Sequence, residues 1–417
     1  MIKRITVEQL RLGMFIHELG CAWMDHPFWR KTFLLDEPKD LQIILSAQIK
    51  WIKIDTAQGL DVANASVADV GGDEDRESVT ETVAITPAQD APVAKTAQRR
   101  SVSQEAAQAV KICAKSKQAV ASMFGEARMG RALNCDDALP LVEEISNSVL
   151  RNPDALISLA RLKNKDDYTY MHSVAVCALM VALARRLGLN EAQTREAGLA
   201  GLLHDIGKMM IPMEILDKPG KLTDAEFAIV KNHPSEGHKM LLEGSGVSEV
   251  ALDVCLHHHE KVDGTGYPEH LGDQQISLYA KMGAVCDVYD AITSNRPYKS
   301  GWEPAESLRR MAEWRNGHFD QRIFEAFVRS VGIYPIGSLV QLKSGCLAVV
   351  IAQTTNSLLT PMVKIFFSTR ANCRIQHEIV DLSLAGCQDK ITSFEDPAKW
   401  GITDIHELWS GVADTSW

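Results

Sequence analysis

The chain has no CxxC pair, and its nine cysteines, an odd number, are scattered along it. A disulfide framework is therefore not expected, and reduced thiols of a cytoplasmic compartment fit better. Long apolar runs are missing too. The longest, Val174 to Ala184, is too short to span a bilayer. No basic segment followed by an apolar one stands at Met1, so no export signal is expected. Positive charge is not in excess: the formal net charge is −10. That argues against a general binder of nucleic-acid polymers or of anionic membranes. A local basic pocket for a small phosphate ligand stays open. Between 62 and 100, aromatic residues, Leu and Met are all absent, and Ile85 is the one isoleucine. Such a stretch cannot bury enough apolar surface to offset its ordering entropy, so 62–101 is expected to be a flexible linker.

What is present suits a multidomain, mainly α protein. The 417 residues are 46% hydrophobic and 24% charged, enough for two or three domains with cores of their own. Residues 1–61 alternate polar and apolar over Lys3 to Leu10 and Ile49 to Asp55 and carry a Trp/Phe-rich patch. They predict a small β-containing domain. Residues 102–149 turn Ala-rich and predict a helical connector. Residues 150–335 read as an all-helical bundle. Within it, Tyr168 to Leu187 has helical spacing and ends at Gly188, and Glu191 to Ile206 continues the pattern. Thr223 and Glu226 form a capping box, and Pro234 suits a first helical turn. Further helices are predicted over Val250 to His259, Ile276 to Thr293, Ala305 to Trp314 and Gln321 to Val331, the last with Asp320 as its N-cap. Residues 336–417 predict a small β appendage with strands over Ser338 to Leu342, Cys346 to Ala352 and Met362 to Phe367. A weakly structured tail is expected from about 395.

The chemistry gathers in the helical segment. His204 and Asp205 are adjacent in GLLHDIGK, and His172, His233, the run His257-His258-His259 and Asp287 stand at helix middles or ends. A neutral imidazole beside a carboxylate suits two cations, because the carboxylate can bridge them. A pair of divalent ions makes hydroxide at neutral pH and clamps a phosphate during in-line displacement. Imidazole and carboxylate donors without thiolate suit iron, manganese or zinc at a hydrolytic centre. Any one of these histidines alone is more simply a core residue. The set of His172, His204, Asp205, His233, two of the histidines 257–259, and Asp287 is what points to metal. Lys208, four residues after His204, is placed to reach such a site as a cation.

The order of these residues resembles the HD-GYP proteins, a branch of the HD phosphohydrolases. The resemblance rests on HDIGK (His204 to Lys208), His233-Pro234, the eleven-residue HHEKVDGTGYP (His258 to Pro268) and DVYDAITSNRPYK (Asp287 to Lys299), and it covers about 150–335. It implies an HD-type helical bundle that hydrolyses cyclic di-GMP. It also implies His258 and His259 as the ligand pair, leaving His257 as a helix-face residue. One ion would take His172, His204, Asp205 and Asp287. The other would take Asp205 as the bridge with His233, His258 and His259. Some members hold a third metal with a glutamate four residues before the first histidine. Here that position is Tyr168, with Asp166 and Asp167 on other faces, so a two-metal site is expected. Iron or manganese comes first, with zinc, nickel or magnesium as alternatives.

By the same resemblance, a metal-bridged hydroxide would attack phosphorus, with Asp205 and Lys208 as the catalytic residues. Lys208, Arg296 and Lys299 would hold the substrate phosphates. The glycine-rich loop from Asp263 to Pro268 would shape the pocket wall and offer a surface to a GGDEF-domain protein, with no direct catalytic part for Tyr267. A homodimer through the helical connector is also compatible. The expected product is pGpG, with further cleavage to GMP. Two other readings compete: 3′,3′-cyclic GMP-AMP as the substrate, and a non-catalytic dinucleotide sensor or adaptor. An adaptor could afford to lose His204, Asp205 or Lys208, and none is lost.

Overall fold

The computed structural model describes residues 2–19, 33–36, 38, 41, 44–45, 51–61, 100–160, 168–218, 220–294, 301–314, 317–354 and 357–412, with backbone alone for Glu8, Leu19, Phe33 and Tyr168. Residues 62–99 of the expected linker 62–101 and most of the Trp/Phe patch lie outside these residues, whereas Ser101 is described and caps the helix that starts at Val102. The chain divides into two units, Met1–Thr96 and Ala97–Trp417. The segments set apart in the sequence as connector (102–149), bundle (150–335) and appendage (336–417) thus share the second unit.

The first unit holds an antiparallel sheet of β1 (Ile2–Ile5), β2 (Phe15–Leu19), β3 (Phe33–Leu34) and β4 (Ile52–Asp55), in the order β1-β4-β2-β3. Ile2 faces Asp55 and Ile5 faces Ile52 where the edge strand β1 pairs with β4. Alternation puts Ile5, Met14, Ile16, Ile52 and Ile54 on one side, where they close with Leu10, Leu35 and Ile44 into a small core.

The second unit is built around α4 (Tyr168–Arg186). It follows α1 (Val102–Arg128), α2 (Leu139–Arg151) and α3 (Pro153–Ala160) and precedes α5 (Glu191–Leu203). Every residue of α4 from Met171 to Ala184 is buried. A helix that is apolar all round belongs inside a bundle, and α4 contacts α1, α2, α3 and α5. Gly188 at φ +80° ends it, and the Leu189 N–H caps the Ala184 carbonyl at 3.0 Å. Short helices follow: α6 (Met213–Leu216), α7 (Asp224–Val230) with the expected Thr223–Glu226 capping box, α8 (His233–Leu242) with Pro234 in its first turn, and α9 (Glu249–His257). Then come α10 (Leu278–Thr293), α11 (Pro304–Trp314) and α12 (Gln321–Val331). Asp320 caps the last through the Ile323 N–H at 3.0 Å.

The helix expected over 191–206 stops at Leu203, and Ile206–Met210 is a 3-10 turn. The cause is backbone contact. A Cβ on Gly207 would lie 2.0 Å from the His233 carbonyl oxygen and 2.4 Å from the Gly237 nitrogen, so the chain must turn where α8 crosses it.

The C-terminal sheet has five antiparallel strands, β5 (Leu339–Leu342), β6 (Cys346–Ala352), β7 (Met362–Ser368), β8 (Cys373–Asp381) and β9 (Ile391–Phe394), ordered β8-β7-β6-β5-β9. The three strands expected are all present. The two unexpected ones are the edges, and β8 is mostly exposed and polar, so no alternation marks it. The tail from about 395 is not weakly structured: a 3-10 turn over Pro397–Trp400 leads to α13 (Ile405–Ser410), which buries Leu408 and Trp409 against β6 and α1. Six residues are too few for periodicity to reveal.

Gly207→Ala should cost about 1–3 kcal/mol through overpacking between two backbones. Thermal unfolding of the metal-free protein checks this; an unchanged midpoint would contradict the close approach.

Candidate metal centre

Five segments carry the site. His172 lies on α4, His204 and Asp205 follow α5, His233 opens α8, His258 and His259 follow α9, and Asp287 lies on α10. Small residues bring them together. A Cβ on Gly201 would meet the Met180 sulfur at 2.9 Å and the Val176 carbonyl at 3.0 Å, so α5 presses onto α4 and sets His204 beside His172. A Cβ on Gly283 would lie 2.9 Å from Val254, which marks the close packing of α10 on α9.

The side chains converge as two groups sharing one carboxylate. In the first, His172 Nε2 lies 3.2 Å from Asp205 Oδ2 and 3.1 Å from Asp287 Oδ1. His204 Nε2 lies 3.3 Å and 3.8 Å from the same two oxygens. In the second, His233 Nε2 is 3.2 Å and His258 Nε2 3.7 Å from Asp205 Oδ1. His259 belongs with this pair, and its Nδ1 is 3.8 Å from Asp287 Oδ2. Within each group, His172–His204–Asp205–Asp287 and His233–His258–His259, the candidate ligand atoms lie within 4.8 Å of one another.

The protonation pattern tests whether cations fit. The Nδ1–H of His204 donates to the Gly201 carbonyl at 2.8 Å, that of His233 to Val230 at 2.7 Å, and that of His258 to Val254 and Cys255 at 3.0 Å. His172 Nδ1–H donates to Asp290 at 2.6 Å. With Nδ1 committed, each Nε2 turns inward. His172 and His204 bring these atoms within 3.2 Å, and His233 and His258 within 3.3 Å. Lone pairs facing lone pairs and carboxylates need positive charge between them. Oδ1 of Asp205 is buried and accepts no hydrogen bond among the described residues. An orphaned buried carboxylate oxygen is costly unless a cation meets it. The donor set therefore fits a divalent metal site, with the imidazoles oriented by carbonyls and a carboxylate behind them.

Electrostatics divide the same way. Burial works against protonating His204, but the Asp205 and Asp287 carboxylates outweigh it and raise its pKa to about 10. Burial pushes His259 down to about 3, against the pull of Asp287. His258 is also held well below the ordinary imidazole range, by burial and by its histidine neighbours. The Lys208 ammonium contacts Asp205 Oδ2 and remains partly exposed. It arrives through the 3-10 turn, three residues after Asp205, rather than along a continuous helix.

The glycine-rich loop closes one side. Glu260 accepts the Glu269 N–H at 2.7 Å and the Leu271 N–H at 3.0 Å, which folds the loop back on itself. Gly266 sits where a Cβ would lie 2.4 Å from Glu260 Cα. The Tyr267–Pro268 peptide is cis, and the Tyr267 ring stacks on His259 at 4.7 Å between centroids. Burial pushes the Tyr267 phenol up, with Asp287 and Asp205 adding to it, so the group is not a base. His257 points away, bonded to Asp253 at 2.8 Å and to Glu269 at 3.3 Å. Arg296, Lys299, Asp166, Asp167 and the Tyr168 side chain lie outside the described residues. Asp290 and Glu260 were not singled out in the sequence. Asp290 falls one helical turn after Asp287 on the same face, and that spacing was the available signal.

Residues 146–323 match a family model described as an HD domain, and residues 2–138 one described as a domain of unknown function (DUF3391). A curated cyclic di-GMP phosphodiesterase of Pseudomonas aeruginosa is 53% identical over 417 residues, covering 100% of this chain and 97% of that one. A 3′3′-cGAMP-specific phosphodiesterase of Vibrio cholerae is 37% identical over 167 residues, 40% of this chain and 38% of that one. Among solved structures, an HDG"Y"P protein from Bdellovibrio bacteriovorus aligns over 78% of this chain and 98% of its own at 16% identity, with a TM-score of 0.45. The matched domain and the cluster of imidazoles and carboxylates define an HD-domain phosphohydrolase. Within that class, the chain belongs to the HD-GYP family of cyclic di-GMP phosphodiesterases. Among the described residues, no helix is long and apolar enough to cross a membrane.

Metal uptake should release protons, because ligands bind deprotonated and His204 holds its proton up to about pH 10. Its protonation stabilises the metal-free fold below the free imidazole value, and that contribution is lost as pH rises through about 10. Apparent metal affinity should therefore climb with pH above neutrality. Calorimetry in buffers of differing ionisation enthalpy reads the proton count, and zero release would contradict this protonation scheme.

Proposed function

We propose that this protein hydrolyses cyclic di-GMP to pGpG, and onward to GMP, at a site for two divalent metal ions. The observation that carries the two-ion reading is the division of Asp205, with Oδ2 facing His172 and His204 and Oδ1 facing His233 and His258. Similarity over the whole length to a cyclic di-GMP phosphodiesterase supports the substrate. The relatives specific for 3′3′-cGAMP match less than half of the chain. Imidazole and carboxylate donors favour iron or manganese, with zinc, nickel and magnesium as further candidates.

His172, His204, Asp205 and Asp287 would hold one ion, and Asp205, His233, His258 and His259 the other. When bound, such a pair supplies an activated water and offsets charge on the phosphoryl oxygens. The protein's own groups do the rest. Asp290 and the carbonyls of Gly201, Val230, Val254 and Cys255 fix four of the imidazole rings, so these side chains need little reorganisation. Hydrolysis adds water across the P–O3′ bond, leaving a 5′-phosphate and a 3′-hydroxyl, and the departing oxygen needs a proton. The Lys208 ammonium, beside Asp205, is placed to supply or stabilise it. Arg296 and Lys299 would grip the substrate phosphates, Arg as a bidentate fork and Lys as a point charge. The loop around Tyr267 would form the pocket wall and a docking surface for a GGDEF-domain protein.

Asp205→Ala should abolish turnover of cyclic di-GMP and lower metal content from two ions per chain. Chromatography of products and elemental analysis test this together; an Ala variant as active as the parent would refute the assignment. Arg296→Ala should raise KM about tenfold or more, the loss of a charged hydrogen bond to phosphate. Steady-state kinetics decide, and an unchanged KM removes Arg296 from the phosphate grip.

A further inference from the structure

A cyclic dinucleotide carries two phosphodiesters, and only one can sit over the metal ligands at a time. The other needs a counter-charge on the rim. In an acidic chain the side chain that supplies it must be a cation not already neutralised. Most lysines around the bundle fail this condition. Lys208 contacts Asp205, Lys218 pairs with Glu226 at 2.6 Å, Lys239 with Glu236 at 2.7 Å, and Lys281 with Asp273 at 2.6 Å.

Lys231 is held differently. Its Nζ lies 5.0 Å from the centroid of the Phe227 ring and 5.4 Å from that of Tyr267, and among the described residues it pairs with no carboxylate. Aromatic faces attract an ammonium without cancelling its charge, so it stays free to meet an anion. The position is also close to the centre. Tyr267 stacks on His259, and Lys231 is two residues before His233, just past the last residue of α7. Phe227 lies one helical turn earlier on α7, which fixes the stem from the other side.

We propose that Lys231 is a substrate-binding residue that receives the second, uncleaved phosphodiester of the cyclic dinucleotide. This rests on the cyclic dinucleotide reading above. The aromatic pair acts as a cradle that holds the ammonium against the ring stacked on His259, and the GYP loop thereby contributes to binding through Tyr267.

The test is a charge series, K231R, K231Q and K231E, in the metal-loaded full chain with cyclic di-GMP as substrate. KM should stay within about threefold of the parent for K231R, rise about tenfold or more for K231Q, and rise further for K231E. Added salt should narrow the differences, since the interaction is partly solvent-exposed. An active parent with a flat KM series, or losses that charge does not order, would overturn the Lys231 assignment and leave the function standing. A metal-loaded parent that does not hydrolyse cyclic di-GMP would overturn both.

Discussion

Everything at this centre depends on one buried carboxylate, Asp205, which is fully enclosed and faces imidazole nitrogens from both of its oxygens. Removing a carboxylate from water is expensive, and hydrogen bonds from neutral groups do not fully compensate it. Here one oxygen lacks even a hydrogen bond. Lys208 covers the other side with a single charge. Lys208 and the neighbouring imidazoles hold Asp205 charged despite its burial, and cations entering the centre would displace the proton of His204 and meet the orphaned oxygen, so metal binding and the stability of this part of the bundle are coupled. The glycines at 201, 207 and 237 serve the same end. They permit backbone approaches that larger residues would block, and without those approaches the imidazoles would not meet the carboxylate.

The helix ends have a second use. Gly201, Val230, Val254 and Cys255 lie in the last turns of α5, α7 and α9, where carbonyls run short of partners within the helix, although Val254 also accepts the His258 N–H at 3.0 Å. Three imidazoles take up those carbonyls through Nδ1 and so present Nε2 inward. The same ends carry partial negative charge, which favours a cation nearby. A helix C-terminus that would otherwise need a cap instead orients an imidazole of the candidate centre. This explains why the site stands where several short helices stop.

The residues that converge at the candidate centre were legible in the sequence because imidazole and carboxylate chemistry has few substitutes, and HDIGK and HHEKVDGTGYP keep those residue types in a fixed order. The helices were legible through their apolar spacing and caps, with Thr223, Pro234 and Asp320 all found in the expected places. What escaped depends on partners far away in the chain. Asp290 matters only because His172, 118 residues earlier, turns its Nδ1 toward it. Glu260 is read as part of a motif, yet its visible work is to hold two loop N–H groups. Strand β8 is largely exposed on both faces because it is an edge, and α13 is too short to show a period. In each case local composition is silent and the neighbour decides.

Charge explains why metal should govern substrate capture as well as chemistry. Asp205, Asp287 and Asp290 set three carboxylates around the centre against the single ammonium of Lys208. Even with His204 protonated, that balance does not draw in a ligand carrying two phosphodiester charges, and the chain as a whole is acidic. Screening at physiological salt confines the repulsion of distant charges to about 8 Å, so the local balance decides. Two divalent ions would reverse its sign, and a rim cation that no carboxylate neutralises would then add to the attraction. A dinucleotide-binding adaptor without metals would have to work against this field. A phosphodiesterase that loads metal first would have the field in its favour.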